Sequence, residues 1–279
     1  MTKLQFAPIV TMSMVLAATA ACSKDKTEGA TPTPSASAVV DAGPTQPVVT
    51  LDLTSESPRA WNVTAERLPA VSEDGTQVAI LVTKEDGTRQ YANAAVEIHT
   101  VADDKIAASV PILEADSVVA AEGAPDAFHT TIPAYKTTAN AKLTEATALL
   151  AKTKWTALNA KLGQAPVGDA GAPSLLVSGF GVALKPAEGG KLSLVMARAT
   201  DKDMATPLLT QDVSAFQIAT RKPPTPQKGN PMCVFTPFVA ETAVDGVHHV
   251  LVVRVGQAVK DDVYGCFEAS QWHVYPFKG

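Results

Sequence analysis

Residues 78–100, VAILVTKEDGTRQYANAAVEIHT, carry the strongest fold signal in the chain. On both sides of Asp86-Gly87, apolar side chains occupy every second position. These positions are Val78, Ile80 and Val82 before the pair, and Val96 and Ile98 after it. Alternation with a period of two around an Asp-Gly pair is typical of half-buried antiparallel strands joined by a tight turn. The stretch therefore predicts a β-hairpin.

One long helix is predicted between Pro133 and Gly163. The residues between these two contain neither Gly nor Pro, and they are rich in Ala, Leu and Lys. At 100° per residue the larger apolar side chains form a broad stripe. The stripe comprises Leu143, Leu150, Ala151, Trp155, Leu158 and Leu162. Gly163 is expected to end the helix, with Pro166 beyond it, and the pattern favours a helix that covers a sheet.

Strand patterns return in the last third of the chain. Residues 175–177 and 192–196 flank Glu188-Gly189-Gly190, which is typical of a hairpin turn. Three more strands are predicted at residues 233–241, 247–255 and 264–277. An Asp245-Gly246 turn of two residues is expected to join the first two of these three strands. The predicted fold class is α+β, with an antiparallel β-sheet or sandwich and one long covering helix.

The amino-terminal residues 1–21 have the pattern of an export signal. Lys3 and the amino terminus supply positive charge, and no ionisable side chain follows between residues 4 and 21. The run ends in Ala18-Thr19-Ala20-Ala21-Cys22, with small residues directly before a cysteine. This segment resembles the lipobox of bacterial lipoproteins. The resemblance implies that Cys22 receives a diacylglyceryl group and becomes the new amino terminus after cleavage.

The resemblance also implies a place in the cell. Because Ser23 rather than Asp follows the cysteine, lipoprotein sorting favours the outer membrane over the inner membrane. Two alternatives stay open at this point: cleavage after Ala20 or Ala21 without a lipid, and an uncleaved membrane anchor. A bilayer span needs about 20 apolar residues, so this run lies at the lower limit, and Pro8 argues further against a permanent span.

Residues 22–49 predict a disordered linker. They are dominated by Ser, Thr, Pro, Ala and Gly and contain no aromatic residue. Such a segment buries too little apolar surface to offset its conformational entropy. The predicted organisation is therefore a signal peptide at residues 1–21, a lipid-anchored linker at 22–49, and a globular domain at 50–279.

The charge and the cysteines narrow the function classes. The formal net charge is −5 and no long basic run occurs, so the cationic footprint of a nucleic-acid-binding protein is missing. Besides Cys22, the chain has only Cys233 and Cys266. In an exported protein an even pair favours a disulfide, worth about 3–4 kcal/mol on the chain-entropy model. Two separate buried thiols are the alternative.

The sequence contains no recognisable catalytic motif. There is no Gly-x-Ser-x-Gly, His-x-x-x-His, Cys-x-x-Cys or His-Glu-x-x-His spacing, and the only Ser-x-x-Lys, Ser23 to Lys26, lies in the predicted linker. Gly179-Phe180-Gly181 lacks the third glycine of a phosphate-binding loop and favours a strand bulge. The acidic pairs at 103–104 and 261–262 favour turns over calcium sites. We therefore predict no cofactor and no metal, and the sequence leans against an enzyme without deciding the question.

The histidines leave one catalytic alternative open. His248 and His249 are adjacent on a predicted strand, so they should face opposite sides and could not share a metal ion. An envelope hydrolase remains possible if His249, Asp245 and His273, which are distant in sequence, come together in one cleft.

The carboxyl-terminal segment concentrates aromatic side chains: Tyr264, Phe267, Trp272, Tyr275 and Phe277. Aromatic residues anchor interfaces, so Trp272 and Tyr275 form a candidate binding surface for another envelope protein or a glycan. A final strand that closes the core is the alternative. The leading functional hypothesis is a lipid-anchored envelope protein with a noncatalytic binding or structural domain.

Overall fold

The structure is a computed structural model that describes residues 46–85, 90–124, 127–164, 174–213, 220–221, 233–259 and 269–279. All of these residues lie in one compact unit, Ala42–Gly279. The strands are β1 (Val48–Asp52), β2 (Asn62–Glu66), β3 (Ala70–Ser72), β4 (Gln77–Glu85), β5 (Ala92–Thr100), β6 (Ile106–Leu113), β7 (Trp155–Ala157), β8 (Lys161–Leu162), β9 (Leu175–Val177), β10 (Phe180–Pro186), β11 (Leu192–Arg198), β12 (Leu209–Asp212), β13 (Thr220–Arg221), β14 (Cys233–Asp245), β15 (Val250–Val259) and β16 (Ala269–Pro276). The α-helices are α1 (Ala115–Glu122) and α2 (Ile132–Leu150), with a π-helical turn at Ala127–Thr131 and 3-10 turns at Pro58–Ala60 and Glu188–Gly190.

The fold is mainly antiparallel β-sheet with few helices, which confirms the predicted antiparallel sheet. The chain is nevertheless richer in sheet than the α+β class implies. The first sheet has the strand order β6-β5-β4-β3-β7. Within it, β4 pairs with β5 from Gln77 opposite Thr100 to Glu85 opposite Ala92. The predicted pairing of the two strands is confirmed, but six residues separate Glu85 from Ala92, so the connection is longer than the predicted tight turn. Asp86 and Gly87 lie outside the described part of the chain.

Both faces of the first sheet are covered. Residues opposite each other share a face, so Ile80 with Glu97 points one way and Leu81 with Val96 points the other. Val96 faces a core that contains α1, α2 and the β1-β2 hairpin. Ile80 faces a second core, built with residues of β14, β15 and β16. The strands are therefore buried on both sides and not half-buried as the alternation predicted, because a second sheet covers the face opposite the helices. Each fully buried Val or Ile contributes about 1.5–3 kcal/mol.

Apart from β1 and β2, which pair only with each other in the described residues, the remaining strands form two further sheets. One has the order β13-β14-β15-β16, with β8 added to β14, and the other has the order β12-β11-β10-β9. A third core joins them, because Val182 and Leu194 of the latter sheet pack with Leu251 and Val253 of the former. The layers thus run from helices through three successive sheets, and β14–β16 form the middle layer of the sheet stack.

The helix prediction was correct in kind and wrong in length. The helix α2 ends at Leu150, not at Gly163, and the predicted stripe residues Trp155, Leu158 and Leu162 lie beyond it. Trp155 instead pairs with Ser72 across β7 and β3. Its indole N–H donates to the carbonyl oxygen of Leu150 at 2.8 Å, which satisfies one of the open acceptors at the helix end. A long-range strand contact therefore ends the helix where the sequence shows no Gly or Pro.

Two predicted turns differ in detail from the structure. Gly179 is not in a strand bulge: Ser178 and Gly179 form the two-residue turn between β9 and β10, both with positive φ, 48° and 83°. A turn of this kind needs two residues in the left-handed region, and glycine adopts that region without strain. The Glu188–Gly190 turn is confirmed, but it joins β10 to β11, so the partner of β11 is not the predicted segment 175–177.

The turn after β14 is longer than predicted. The last pair is Asp245 with Val250, so residues 246–249 form a four-residue connection rather than a two-residue Asp-Gly turn. The Asp245 carboxylate stabilises this loop, because its Oδ1 accepts the Val247 N–H at 2.9 Å and its Oδ2 lies 2.5 Å from His248 Nδ1. Both predicted strand histidines, His248 and His249, are consequently in the loop and not on a strand.

The carboxyl-terminal strands form a meander. The whole of β16 pairs with β15, from Val250 opposite Pro276 to Gln257 opposite Ala269. The predicted Cys233–Cys266 disulfide implies only that residues 264–277 do not pair with the preceding strand along their whole length, and residues 264–268 lie outside the described part of the chain, so this implication is not tested. Cys266 precedes β16 and lies outside the described residues, so the disulfide stays a prediction.

The segments that carry the export signal, Cys22 and Ser23 to Lys26 also lie outside the described residues. The strand β1 begins at Val48, two residues before the predicted start of the globular domain at residue 50. None of the helices that the structure describes has the length and apolar character needed to cross a membrane.

Candidate functional site: a cationic cleft and a buried histidine cluster

A cleft begins where, among the described residues, the first sheet has an open edge. The strand β3 pairs with β4 only at Val78 and Ala79, whereas β5 follows β4 as far as Glu85. The pairing of β3 with β4 stops at Ala70, opposite Ala79. The residue before Ala70 is Pro69, which has no N–H to donate to a strand neighbour. Within the described residues, the segment 80–85 of β4 therefore has no strand partner on its β3 side.

The cleft along this edge has a volume of about 1050 Å³. Such a volume lies at the upper end of the roughly 300–1,000 Å³ typical of ligand pockets. The edge of β4 forms its base, the β1-β2 hairpin with the start of β5 forms one wall, and the middle sheet forms the other. Its lining is Arg59, Asn62, Val63, Thr64, Ala65, Leu81, Thr83, Lys84, Gln90, Tyr91, Ala92, Asn93, Ala94, Phe238, Ala240, Arg254, Gly256 and Ser270.

A smaller cavity of about 170 Å³ continues the cleft toward β3. Four residues border both spaces: Ala65, Leu81, Thr83 and Arg254. The smaller cavity adds Leu68, Pro69, Ile80, Glu241 and Trp272. The two spaces therefore form one groove, which we call the β4 groove.

The charge of the main cleft is one-sided. Arg59, Lys84 and Arg254 border it, and no Asp or Glu does so among the described residues. The whole chain, by contrast, carries a formal net charge of −5. Cations against a low-dielectric wall attract an anionic ligand more strongly than the same charges would in open solvent. Glu241, which borders the adjoining smaller cavity, offsets part of the Arg254 charge.

Arg254 is held in place at the junction of the two cavities. Its Nη2 lies 3.2 Å from Glu241 Oε2, and its guanidinium lies 5.7 Å from the centre of the Trp272 ring. Burial raises the pKa of Glu241, and the Arg254 charge offsets only part of this effect. The Nε of Arg254 is buried and has no hydrogen-bond partner among the described residues.

Arg59 is held at the opposite end of the cleft. Its Nε lies 3.5 Å from the Tyr91 hydroxyl, and its guanidinium lies 5.3 Å from the centre of that ring. The Tyr91 hydroxyl in turn donates to Glu122 at the end of α1. Tyr91 is only 4% exposed, so its ring supports Arg59 and does not offer an open stacking face.

A second polar cluster lies at the edge of β16, away from the groove. Asp104, in the turn after β5, lies with Oδ2 2.5 Å from His273 Nδ1 and with Oδ1 3.3 Å from His99 Nδ1. Its Oδ1 also accepts the Val274 N–H at 2.7 Å. His99 Nε2 lies 3.0 Å from Glu97 Oε2. One carboxylate thus joins the first sheet to the free edge of the middle sheet, which protects that edge from further strand pairing.

The cluster strongly affects proton binding. Burial lowers the pKa of His99, but hydrogen bonds with Asp104 and Glu97 outweigh it and raise that pKa to about 9. Burial alone would raise the pKa of Asp104, yet its hydrogen bonds with His273 and His99 hold that pKa below the usual value. Burial also raises the pKa of the Tyr275 phenol, whose ring stacks on His273.

This arrangement suits a structural tie better than a reaction centre. His99 and His273 are each 4% exposed, and neither borders the main cleft or the smaller cavity. A general base has to come within hydrogen-bond reach of a substrate. No group of three or more metal-ligating side chains occurs in the described part of the chain.

The three residues of the hydrolase alternative have different partners. Asp245 binds His248, whose Nε2 also lies 3.1 Å from the Glu73 carbonyl oxygen. His249 packs edge-on against Phe277, with ring centres 5.4 Å apart. His273 binds Asp104. The described contacts therefore do not assemble these side chains into one site.

The predicted aromatic surface lies mainly inside the protein. Trp272 is 8% exposed and belongs to the core between the first and middle sheets, where it borders only the smaller cavity. Tyr275 is half-buried and packs against the core between the middle sheet and the sheet β12-β11-β10-β9. The last strand closes two cores, as the alternative reading of the segment expected.

Sequence patterns predicted neither the β4 groove nor the cluster of His99, Asp104 and His273. The pair 103–104 does form a turn, as predicted, and the Thr100 hydroxyl donates to Asp103 within it, but the role of Asp104 depends on a residue 169 positions away. The pair 261–262 lies outside the described residues.

Comparison with known protein families, with curated proteins and with solved structures gives no match.

Proposed function

We propose that this chain is a lipid-anchored protein of a bacterial envelope whose folded part binds another envelope component in the β4 groove without catalysing a reaction. The binding role in this proposal depends on the β4 groove. It is a concave surface of about 1050 Å³ that combines apolar side chains with polar and cationic groups, as sites for polar ligands do. Among the described residues its lining contains no histidine or cysteine, and its one carboxylate, Glu241 in the smaller cavity, is paired with Arg254 rather than with a nucleophile.

The anchor is supported by the sequence around Cys22. A diacylated amino-terminal cysteine would hold the folded part at the membrane through residues 23–47, and Ser23 favours the outer membrane. The test is the intact mass of membrane-extracted protein together with a Cys22→Ala variant. The lipid should appear in the mass of the wild type, and the variant should leave the membrane fraction. A mature protein that begins at Cys22 with an unmodified thiol would contradict the anchor.

The binding role is tested by placing a photo-crosslinking amino acid at Thr83, an exposed position that borders both cavities. Thr210, exposed on the edge strand β12, serves as the matched control. Irradiation of living cells should give one defined adduct from position 83 and none from position 210. Absence of an adduct at position 83, or the same adducts from both positions, would contradict a specific site in the groove.

A further inference from the structure

The β4 groove follows the edge of a strand. Successive residues of a strand point to opposite faces of its sheet. Ile80 and Lys84 share one face, and Leu81 and Thr83 share the other, yet all four border the groove. Side chains from both faces can line one groove only where it runs along the strand edge. The backbone of β4 therefore borders the groove for about five residues, or roughly 17 Å.

One wall of the groove offers a second open strand edge. Among the residues that the structure describes, the strand β2 pairs with β1 alone, and β1 lies on the side of α2. Four successive residues of β2, from Asn62 to Ala65, border the cleft, although Val63 points into the core and Thr64 is exposed. The same reasoning places the unpaired edge of β2 along the cleft. Within the described residues, the groove thus lies between two strand edges whose backbone groups can accept a partner.

From this geometry we infer that the groove binds an extended acidic peptide segment, which adds to the open edge of β4 as a further strand and presents carboxylates to Arg59, Lys84 and Arg254. Addition of a strand to a sheet edge obtains affinity from backbone hydrogen bonds and specificity from alternate side chains. The inference rests on the proposed binding role of the groove and specifies its ligand.

Two observations favour a peptide over other anionic ligands. The three cations come from separate elements along the groove: the 3-10 turn at Pro58–Ala60, β4 and β15. A small anion would need donors that converge on one point, whereas carboxylates spaced along a strand can meet cations that are spread out. A glycan would need open aromatic faces, and both aromatic residues that border the cleft, Tyr91 and Phe238, are less than 10% exposed.

The direct test uses synthetic peptides and the full-length membrane-extracted protein. The probe is a fluorescent seven-residue peptide of alternating Glu and Val, and its Gln-Val counterpart is the neutral control. The acidic peptide should bind at least about tenfold more tightly, a difference of about 1.4 kcal/mol. The preference should weaken as salt is added. Equal binding of the two peptides would overturn the inference.

Backbone pairing is tested with two N-methylated versions of the acidic peptide. N-methylation at the odd positions removes the donors of one peptide edge, and N-methylation at the even positions removes those of the other. Because only one edge of an added strand faces β4, one version should lose binding by more than about tenfold and the other should keep most of it. If both N-methylated versions bind as tightly as the unmodified peptide, no strand is added.

Protein variants place the peptide in the groove. Lys84→Gln should weaken binding of the acidic peptide several-fold, whereas Lys202→Gln, another exposed lysine outside the groove, should not change it. Bound peptide should also slow amide hydrogen exchange in residues 80–84 of β4 and leave β12 unchanged. If crosslinking at Thr83 gives a specific adduct while the acidic peptide does not bind, the peptide inference fails and the groove remains a binding site. If neither occurs, both proposals fail.

Discussion

The buried His99–Asp104 contact predicts that the stability of the protein falls as the pH rises from about 6 to about 9.5. The charged groups around His99 are Glu97 on its own strand and Asp104 in the following turn, and His273 of β16 lies on the far side of Asp104. His99 itself is 4% exposed, so solvent screens these contacts little. The informative perturbation is His99→Gln, which keeps a polar side chain and removes the titrating ring.

The magnitude follows from the shifted pKa. A histidine in an unfolded chain titrates near 6.5, whereas the pKa of His99 in the folded protein is raised to about 9. Since one pKa unit corresponds to about 1.36 kcal/mol, the shift represents about 3 kcal/mol. The folded state binds a proton that the unfolded state has lost in this range. The contribution of the His99 contacts to the unfolding free energy is therefore complete below about pH 6.5, decreases between about pH 6.5 and 9, and is absent above about pH 9.

The assay is urea unfolding at a series of pH values, followed by the fluorescence of the buried Trp61, Trp155 and Trp272. The difference in unfolding free energy between the wild type and His99→Gln should shrink by about 3 kcal/mol between about pH 6 and pH 9.5. His129→Gln, at an exposed histidine, is the control and should follow the wild type. A difference between the wild type and His99→Gln that stays constant across the range would refute the reasoning.

Three further predictions test other parts of the fold. Asp104→Asn should lower the unfolding free energy by about 3 kcal/mol, because it removes the charge that two buried histidines contact. Asp103→Asn, in the exposed half of the same turn, should lower it by less than about 1 kcal/mol. Equal losses of the two variants in chemical denaturation would contradict the structural role of Asp104. Trp155→Phe should lower the unfolding free energy by about 1 kcal/mol or more, because the last carbonyl of α2 loses the indole donor. An unchanged midpoint of thermal unfolding would show that this hydrogen bond is dispensable. Peptide mapping without reductant should link Cys233 to Cys266 in protein taken from the envelope, and free thiols at both positions would exclude the bond.

Local patterns predicted the strands better than their connections. The alternation around Asp86-Gly87 and the Gly-rich turn before β11 depend on neighbouring residues only, and both hairpins are present. The turn after β14 was predicted too short, because the Asp245 side chain binds His248 and stabilises a four-residue loop. The sequence offers an Asp-Gly pair at that place, and only the side-chain contacts distinguish a two-residue turn from a longer one.

The end of α2 shows how a distant contact can outweigh local preference. Residues 151–162 have no helix breaker and continue the apolar stripe, so local propensity predicts a longer helix. The structure instead places Trp155 opposite Ser72 in a strand pair and uses its indole to cap the helix. Propensities differ by less than about 1 kcal/mol per residue, whereas burial of one large aromatic side chain contributes more than that.

The sequence by itself determined the antiparallel strands, the helix over one sheet and the concentration of aromatic residues in the final strand, because each depends on periodicity or composition within a short window. It also supplies the only basis for the predicted anchor at Cys22. Tertiary structure alone decided that Ile80 and Val96 face different cores and that Asp104 lies between two histidines far apart in the chain. It also decided that no strand of the described residues covers the edge of β4 beside Arg254. These features depend on which strands become neighbours across many residues, and that outcome is set by the packing of whole sheets rather than by any local pattern.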